Sequence, residues 1–364
     1  MRLYIIAGEA SGDLHGSNLL KALYAQQSDL TCRVWGGDLM QQTGATLVKH
    51  YRDLAFMGFV EVVKNLRTIL RNIAFCKQDI LAFKPDALVL IDYPGFNLRI
   101  AKWAKSQGIR VIYYISPQLW AWHASRAKAI KRDVDKLLVI LPFEQAFFKE
   151  YDIDAEFVGH PLLDAIKDLP NLPHSDDSKP TIALLPGSRK QEVSRILPVM
   201  LETTRAFPSH RFVVAGASSL PEGYYQEYLK DFPSVALEKG NTYGILQRSV
   251  AALVKSGTST LETALLDVPQ VVCYAGNPIS YQIAKRLVKV KYISLVNLIV
   301  DRPLVRELIQ HELTPENATA ALQDILKPEK MAEIKAGYAE LRHQLGDGGA
   351  SERAAQAILA MVRT

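Results

Sequence analysis

The sequence predicts an α/β fold built as two parallel-sheet halves, and three observations carry that prediction. Short apolar runs alternate with amphipathic segments of helical length along most of the chain, the pattern of strands joined by crossover helices. Residues 168–180 have linker composition, with Pro170, Pro173 and Pro180 standing among Asn171, Ser175, Asp176, Asp177 and Ser178. The pattern then starts again, and 364 residues suit two domains at roughly 100 to 200 residues each. The chain is therefore divided into residues 1–170 and 171–344, with a helix at about 345–364 as a candidate to pack back on the first domain.

The predicted strands are residues 3–7, 87–91, 111–115 and 137–140 in the first half, and 181–185, 212–215, 251–254 and 270–273 in the second. The first apolar run turns polar at Glu9, too soon for a signal peptide or a spanning helix, and reads as a buried strand. No other run reaches spanning length, so an integral membrane protein is not expected. Residues 331–362 read as helical, broken at Asp347-Gly348-Gly349, with Ser351 as the N-cap of the last helix.

Composition narrows the class. Hydrophobic residues make up 48% and charged residues 22%, the balance of a globular enzyme rather than a disordered chain. Cys32, Cys76 and Cys273 stand far apart with no CxxC pair, which argues against a disulfide framework or a zinc site and for a reducing, cytoplasmic compartment. A net charge of +5 permits an anionic partner such as a phospholipid surface or a phosphorylated substrate. Nucleic acid is not an expected partner.

Four turns could carry chemistry. Gly8-Glu9-Ala10-Ser11-Gly12-Asp13 joins the first strand to a helix; its glycines let a ligand approach the backbone, and the helix start favours anions. Glu9 and Asp13 would repel a pyrophosphate, and a plain turn capped by Ser11 or Asp13 is the competing reading. Leu90-Ile91-Asp92-Tyr93-Pro94-Gly95-Phe96-Asn97 ends an apolar strand in a carboxylate. Strand carboxyl ends face the ligand crevice in such sheets, so Asp92 is a candidate general base, or else a cap for the next helix. Pro186-Gly187-Ser188-Arg189 offers amides and a guanidinium suited to a diphosphate, against a simple glycine turn with a surface Arg. Ser256-Gly257-Thr258 opens another helix after a strand, and Glu262, one turn in, could take two ribose hydroxyls.

Other groups read as less specific. Asp133-Val134-Asp135, flanked by Arg132 and Lys136, is a surface charge cluster, and the eight histidines have no metal-ligand spacing, so neither metal nor cofactor is predicted. Trp120 and Trp122 suit a sugar or acyl site, or a domain-interface core. Over residues 59–75, Phe59, Val62, Val63, Leu66, Ile69, Leu70 and Ile73 fall within an arc of roughly 140°. Lys64, Arg67 and Arg71 line one shoulder, with Val60 among them. That face suits an anionic lipid surface, the alternative being a core helix with a solvated basic side. A second basic and apolar stretch at residues 284–291 adds weight to the lipid reading.

Taken together these segments resemble the lipid A disaccharide synthase family over nearly the whole chain. The resemblance rests on Ala7-Gly8-Glu9-Ala10-Ser11-Gly12-Asp13, Met57-Gly58-Phe59-Val60-Glu61-Val62, Asp92-Tyr93-Pro94-Gly95-Phe96-Asn97 and Ser116-Pro117-Gln118-Leu119-Trp120-Ala121-Trp122. It continues through Leu141-Pro142-Phe143-Glu144, Gly159-His160-Pro161, Leu185-Pro186-Gly187-Ser188-Arg189, Ser256-Gly257-Thr258, Ala284-Lys285-Arg286-Leu287-Val288 and Tyr292-Ile293-Ser294-Leu295-Val296-Asn297-Leu298. It implies a GT-B architecture of two Rossmann-like domains facing a cleft. It implies inverting transfer from UDP-2,3-diacylglucosamine to 2,3-diacylglucosamine 1-phosphate, giving a β-1,6-linked disaccharide phosphate and UDP without a metal or cofactor. Peripheral attachment at the cytoplasmic face of the inner membrane is implied as well. By the same resemblance Asp92 matches the base, Arg189 an arginine needed for activity, and Asn297 a polar position near the nucleotide. Gly95 departs from the pattern, since many members carry a second Asp there, so a carboxylate pair is not expected. The rival readings are a UDP-sugar epimerase and a non-catalytic nucleotide-sugar or lipid-binding protein. Pairing of copies through the C-terminal helices is left open.

Overall fold

The computed structural model describes residues 1–54, 66–117, 119, 126–167, 169, 179–277, 281 and 291–363, the side chain of Leu66 excepted. Val60, Val62, Val63 and Lys64, both tryptophans of the 116–122 motif, most of the 168–180 linker and residues 284–290 lie outside these. The chain forms two compact units, Met1–Asp168 with Leu345–Thr364, and Leu169–Gln344.

The first unit holds strands β1 (Arg2–Ala7), β2 (Thr31–Gly36), β3 (Thr46–His50), β4 (Ala87–Ile91), β5 (Arg110–Tyr114), β6 (Lys136–Val139) and β7 (Ala155–Phe157). They lie side by side in the order β3-β2-β1-β4-β5-β6-β7, every pair parallel. The second unit repeats the plan with β8 (Thr181–Leu185), β9 (Arg211–Gly216), β10 (Val235–Lys239), β11 (Ser249–Lys255), β12 (Gln270–Tyr274) and β13 (Arg306–Ile309). Their order is β10-β9-β8-β11-β12-β13, again all parallel. Each sheet is doubly wound. The order reverses beside its first strand, at β1/β4 and at β8/β11, and ligands of such sheets bind outside the strand carboxyl ends at that switch point.

Sequence explains the sheets directly. β4 and β8 are buried at every residue, because parallel strands covered by helices on both faces must be apolar throughout. Tyr4, Ile6, Trp35, Leu88, Leu90, Ile100, Val111 and Tyr113 form the core of the first unit, and Ala183, Val213, Ile245, Ala252 and Val254 that of the second. One buried polar network ties the first core to its rim. Trp35 Nε1 donates to Tyr4 Oη at 2.8 Å, Tyr4 donates to Asp79 at 2.6 Å, and Arg33 grips the same carboxylate at 2.6 and 2.9 Å.

Two expectations need correction here. The last helix, Ala350–Arg363, begins one residue before Ser351. The amides of Gly349, just before it, and of Ser351 donate to Asp164 at 2.5 and 2.8 Å, so an acidic side chain from elsewhere in the chain replaces the expected Ser351 cap. The helix packs against the helix Ala10–Gln26 of the first unit, and Arg110 ties its end by donating to the carbonyls of Met361 and Val362.

The second correction concerns the amphipathic segment. Its described part is the helix Leu66–Phe83. Ile73, Cys76 and Ile80 are buried in the core, and Ile69 packs partly buried against it. Ile69, expected to touch lipid, thus belongs to the inner face, because positions four, seven and eleven residues apart share one stripe. Arg67 and Arg71 are exposed, as is Leu70 at 56%, with Phe75 at 44% and Leu81 at 48%. The apolar arc is therefore split between core and surface.

Candidate functional site

In the first unit the site grows from the ends of β1 and β4. Ala7 pairs in register with Ile91, so Gly8 and Asp92 leave the sheet as neighbours. Asp92 (φ 44°) and Tyr93 (φ 50°) both adopt left-handed backbone, as does Ile115 (φ 62°) in the adjacent loop. Such a run costs energy for residues with a side chain and persists only where its surroundings hold it. Here the Asp92 carbonyl accepts from Tyr113 Oη at 2.6 Å and Asn97 Nδ2 at 2.8 Å, while its amide donates to the carbonyls of Tyr114 and Ile115 at 3.3 Å. The half-buried Asp92 carboxyl is pushed up to about 6, first by burial and then by the nearby Glu9 carboxylate. A carboxylate that binds a proton this readily is a better base than one in water.

Beside Asp92 lies a cavity of about 420 Å³ at the carboxyl ends of β4, β5 and β6, lined by Ser116, Leu119, Arg126, Ile140 and Glu144 among others. Glu144 is fully buried. It accepts from Ser116 Oγ at 2.6 Å and from the amides of Leu141 and Ile140 at 2.9 and 3.2 Å.

Several sequence-predicted residues of this unit serve the fold instead. A Cβ on Gly8 would lie 2.3 Å from the Tyr93 ring, and one on Gly12 would lie 3.1 Å from Ala7 Cβ. The space those glycines leave is filled by protein, not kept for a ligand. Asp13, buried, accepts from the amides of Gly37, Leu39 and Met40 at 2.7, 3.1 and 3.0 Å and so caps the short helix Asp38–Gln42. Asn97 is fully buried, with Nδ2 on the carbonyls of Ile91 and Asp92, so it braces the Asp92 turn. Glu9 and Ser11 remain accessible at the start of the helix Ala10–Gln26.

The second unit sets opposite chemistry at the same topological place. β8 ends at Leu185 beside Val254 of β11. Gly187 takes φ 108°, and Ser188 and Arg189 follow exposed before the helix Lys190–Thr204. Glu192 folds back over this turn, accepting from the amides of Ser188 and Arg189 at 3.1 and 3.4 Å and facing the Arg189 guanidinium at 3.7 Å. It also pairs with Lys255 at 2.9 Å. Lys255 and Glu192 escaped the sequence reading, although a Glu three residues after a helix start is the capping-box signal and Lys255 ends an apolar strand.

Gly257 and Thr258 begin the helix Thr258–Leu265, with Thr258 exposed. Ser256 is buried, and its hydroxyl donates to the Ile293 carbonyl at 2.8 Å, so its side chain serves the loop. Glu262 accepts from Tyr243 Oη at 2.9 Å and its carboxyl is raised by burial. Asn297 was expected near a nucleotide, but it is buried and exchanges hydrogen bonds with Val305 at 2.9 Å in both directions while donating to Glu307 at 3.0 Å. It clamps a loop to β13, which again is a positioning role.

The chain can now be set beside known proteins. A family model described as Lipid-A-disaccharide synthetase matches residues 3–361. The lipid-A-disaccharide synthase of Syntrophus aciditrophicus is 40% identical over 99% of this chain and 97% of its own length. That of Geobacter metallireducens is 39% identical over the same shares. Among solved structures, UDP-GlcNAc 2-epimerase from Neisseria meningitidis bound to UDP-GlcNAc aligns with TM-score 0.70 at 15% identity, covering 99% of this chain and 100% of that one. The glycotransferase of kitacinnamycin aligns with TM-score 0.65 at 15% identity, covering 99% of each chain. At such identities these two speak for the fold alone, a GT-B-like pair of Rossmann-like domains. Matched along almost its entire length by the family model and by relatives named for the activity, the chain belongs to the lipid-A-disaccharide synthetase family, glycosyltransferases of lipid A biosynthesis.

Proposed function

We propose that the chain joins UDP-2,3-diacylglucosamine to 2,3-diacylglucosamine 1-phosphate, with inversion at the donor's anomeric carbon. The acceptor's 6-hydroxyl oxygen attacks that carbon, UDP leaves with the bonding pair, and the hydroxyl proton passes to the Asp92 carboxylate. The products are the β-1,6-linked disaccharide 1-phosphate and UDP. The observation that carries this reading is the division of charge between two equivalent switch points: a proton-accepting carboxyl beside a cavity in one unit, and in the other Arg189 and Lys255 gathered at turn amides that the Glu192 carboxylate occupies and an incoming diphosphate would take over. The first suits an acceptor hydroxyl and the second a diphosphate leaving group. On this reading residues 1–170 take the acceptor and residues 171–344 the nucleotide. Gly187, Ser188, Arg189, Gly257 and Thr258 face the diphosphate and Glu262 the ribose.

The same reading places the enzyme peripherally on the cytoplasmic face of the inner membrane. Among the described residues no helix is long and apolar enough to cross a membrane. Exposed Leu70 and Phe75, with Arg67 and Arg71 beside them, suit an anionic lipid surface. Incubation with both acylated glucosamines, followed by mass analysis, tests the transfer: disaccharide and UDP must appear together, and only when both substrates are present. Turnover of the UDP-sugar alone would sink it in favour of epimerisation.

A further inference from the structure

The cavity at the ends of β4, β5 and β6 contains one feature that the transfer has not used. Its charged lining residues are Asp92, Glu144 and Arg126. Glu144 is occupied by Ser116 and by two backbone amides, and Asp92 is assigned to the hydroxyl. Arg126 precedes the helix Ala127–Asp133, is exposed, and forms no ion pair among the described residues. An always-charged, planar five-donor group opening on a sugar-sized cavity is suited to an oxyanion with several oxygens.

Sugar chemistry says where that anion should be. In a hexopyranose, C1 and the C5 that bears the hydroxymethyl group flank the same ring oxygen. A 1-phosphate and a 6-hydroxyl therefore project from the same end of the ring. A cavity that presents a base and a guanidinium together matches that end of the acceptor. We infer that Arg126 binds the acceptor's phosphomonoester while Asp92 meets its 6-hydroxyl, so that one cavity reads both groups; the inference rests on the transfer proposed above. Arg126 would also neutralise the phosphate charge beside the Asp92 carboxylate, which repulsion would otherwise leave protonated.

The test compares wild type, Arg126→Ala and Arg126→Lys on 2,3-diacylglucosamine 1-phosphate and on its dephosphorylated counterpart. Arg126→Ala should lower kcat/KM for the phosphorylated acceptor by on the order of 10- to 100-fold, the span of a hydrogen-bonded charge pair. The donor KM should stay unchanged and the Lys variant should recover part of the loss. On the dephosphorylated acceptor, wild type should already be slow and Arg126→Ala no slower. Equal losses on both acceptors, or a raised donor KM, would overturn the inference. Arg126 is exposed, so an unchanged Tm is expected. Binding of the phosphorylated acceptor in detergent separates this inference from the transfer reading. If wild type binds it, Arg126→Ala weakens binding and no transfer occurs, the transfer reading fails and the anion site stands. If both proteins bind it equally, the anion site fails whatever the activity.

Discussion

The two units are the same scaffold given opposite chemistry. Both reverse strand order beside their first strand, and both set charged side chains at that reversal. In the first unit the turn is tightly braced and acidic, with Asp92 in left-handed backbone held from beneath by Asn97 and Tyr113. In the second it carries two cations, Arg189 and Lys255, disposed around a carboxylate that occupies the turn amides. Topology thus selects the place, and two or three side chains on each turn select what can bind there.

The contrast can be broken first at its acidic end. Asp92→Asn keeps size and most hydrogen bonding but cannot take a proton, so the rate should fall by about 10²-fold or more, with both substrates still bound. Wild-type turnover should decline as pH falls through about 6, where the carboxyl takes up its proton. A carboxyl raised in the folded state favours folding below its unfolded pKa and loses that contribution as pH rises through 6. The Asn variant should therefore melt higher than wild type at pH 7 to 8, which differential scanning calorimetry reads. A stable, fully active Asp92→Asn would remove the base from this turn.

At the cationic end, Arg189→Ala should cost on the order of 10- to 100-fold in kcat/KM for the donor and weaken UDP in titration calorimetry, leaving the acceptor KM alone. Comparable loss on the acceptor side would mean that the two units do not divide the substrates.

Acid should separate the units as well. His15 and His160 are buried in the first unit and pushed down to about 4 and about 3 by burial; among the described residues the second unit's histidines are less buried. Groups whose folded pKa is depressed leave stability intact above the unfolded value near 6.5 and withdraw it as pH falls towards the folded values. Between pH 6 and 4 the first unit should lose up to ~1.4 kcal/mol per pH unit for each histidine. Urea melts followed by hydrogen exchange should show the first unit opening ahead of the second, and identical acid sensitivity in both would refute the assignment. The smallest effect is expected on the surface. Leu70→Ser should reduce retention on phosphatidylglycerol vesicles a few-fold, roughly what losing one largely exposed apolar side chain gives, without altering Tm by more than about a degree or two.

Sequence made the interior of both sheets readable and their margins obscure. The strands containing residues 3–7, 87–91, 111–115, 137–140, 181–185 and 251–254 announce themselves because burial on two faces demands unbroken apolar runs. β3, β7, β10 and β13 lie at sheet edges, where one side is unpaired and residues such as Lys49, Glu156, Glu238 and Glu307 are tolerated, so no apolar run marks them. Interior β2 was hidden too, because Thr31 and Arg33 interrupt it. Site residues followed a similar rule. A carboxylate at a strand end, such as Asp92, is visible from pattern alone. Asp13, Asn97 and Asn297 stand in similar polar turns but are engaged with backbone and, for Asn297, with Glu307, and only the folded chain reveals which polar atoms are taken. Lys255 is hidden because its partner, Glu192, lies 63 residues away in sequence, whereas Glu192 itself sits at a capping-box position that the pattern does carry.

The return of the helix Ala350–Arg363 to the first unit has a consequence for synthesis. During translation the second unit, Leu169–Gln344, has emerged in full before the residues that cover the helix Ala10–Gln26 exist. Buried partners such as Ala354, Ala355, Ile358 and Leu359 come last. The half that begins first is completed last, and until then its Ala10–Gln26 flank is an exposed apolar surface on the nascent chain, the kind of surface that chaperones and aggregation compete for.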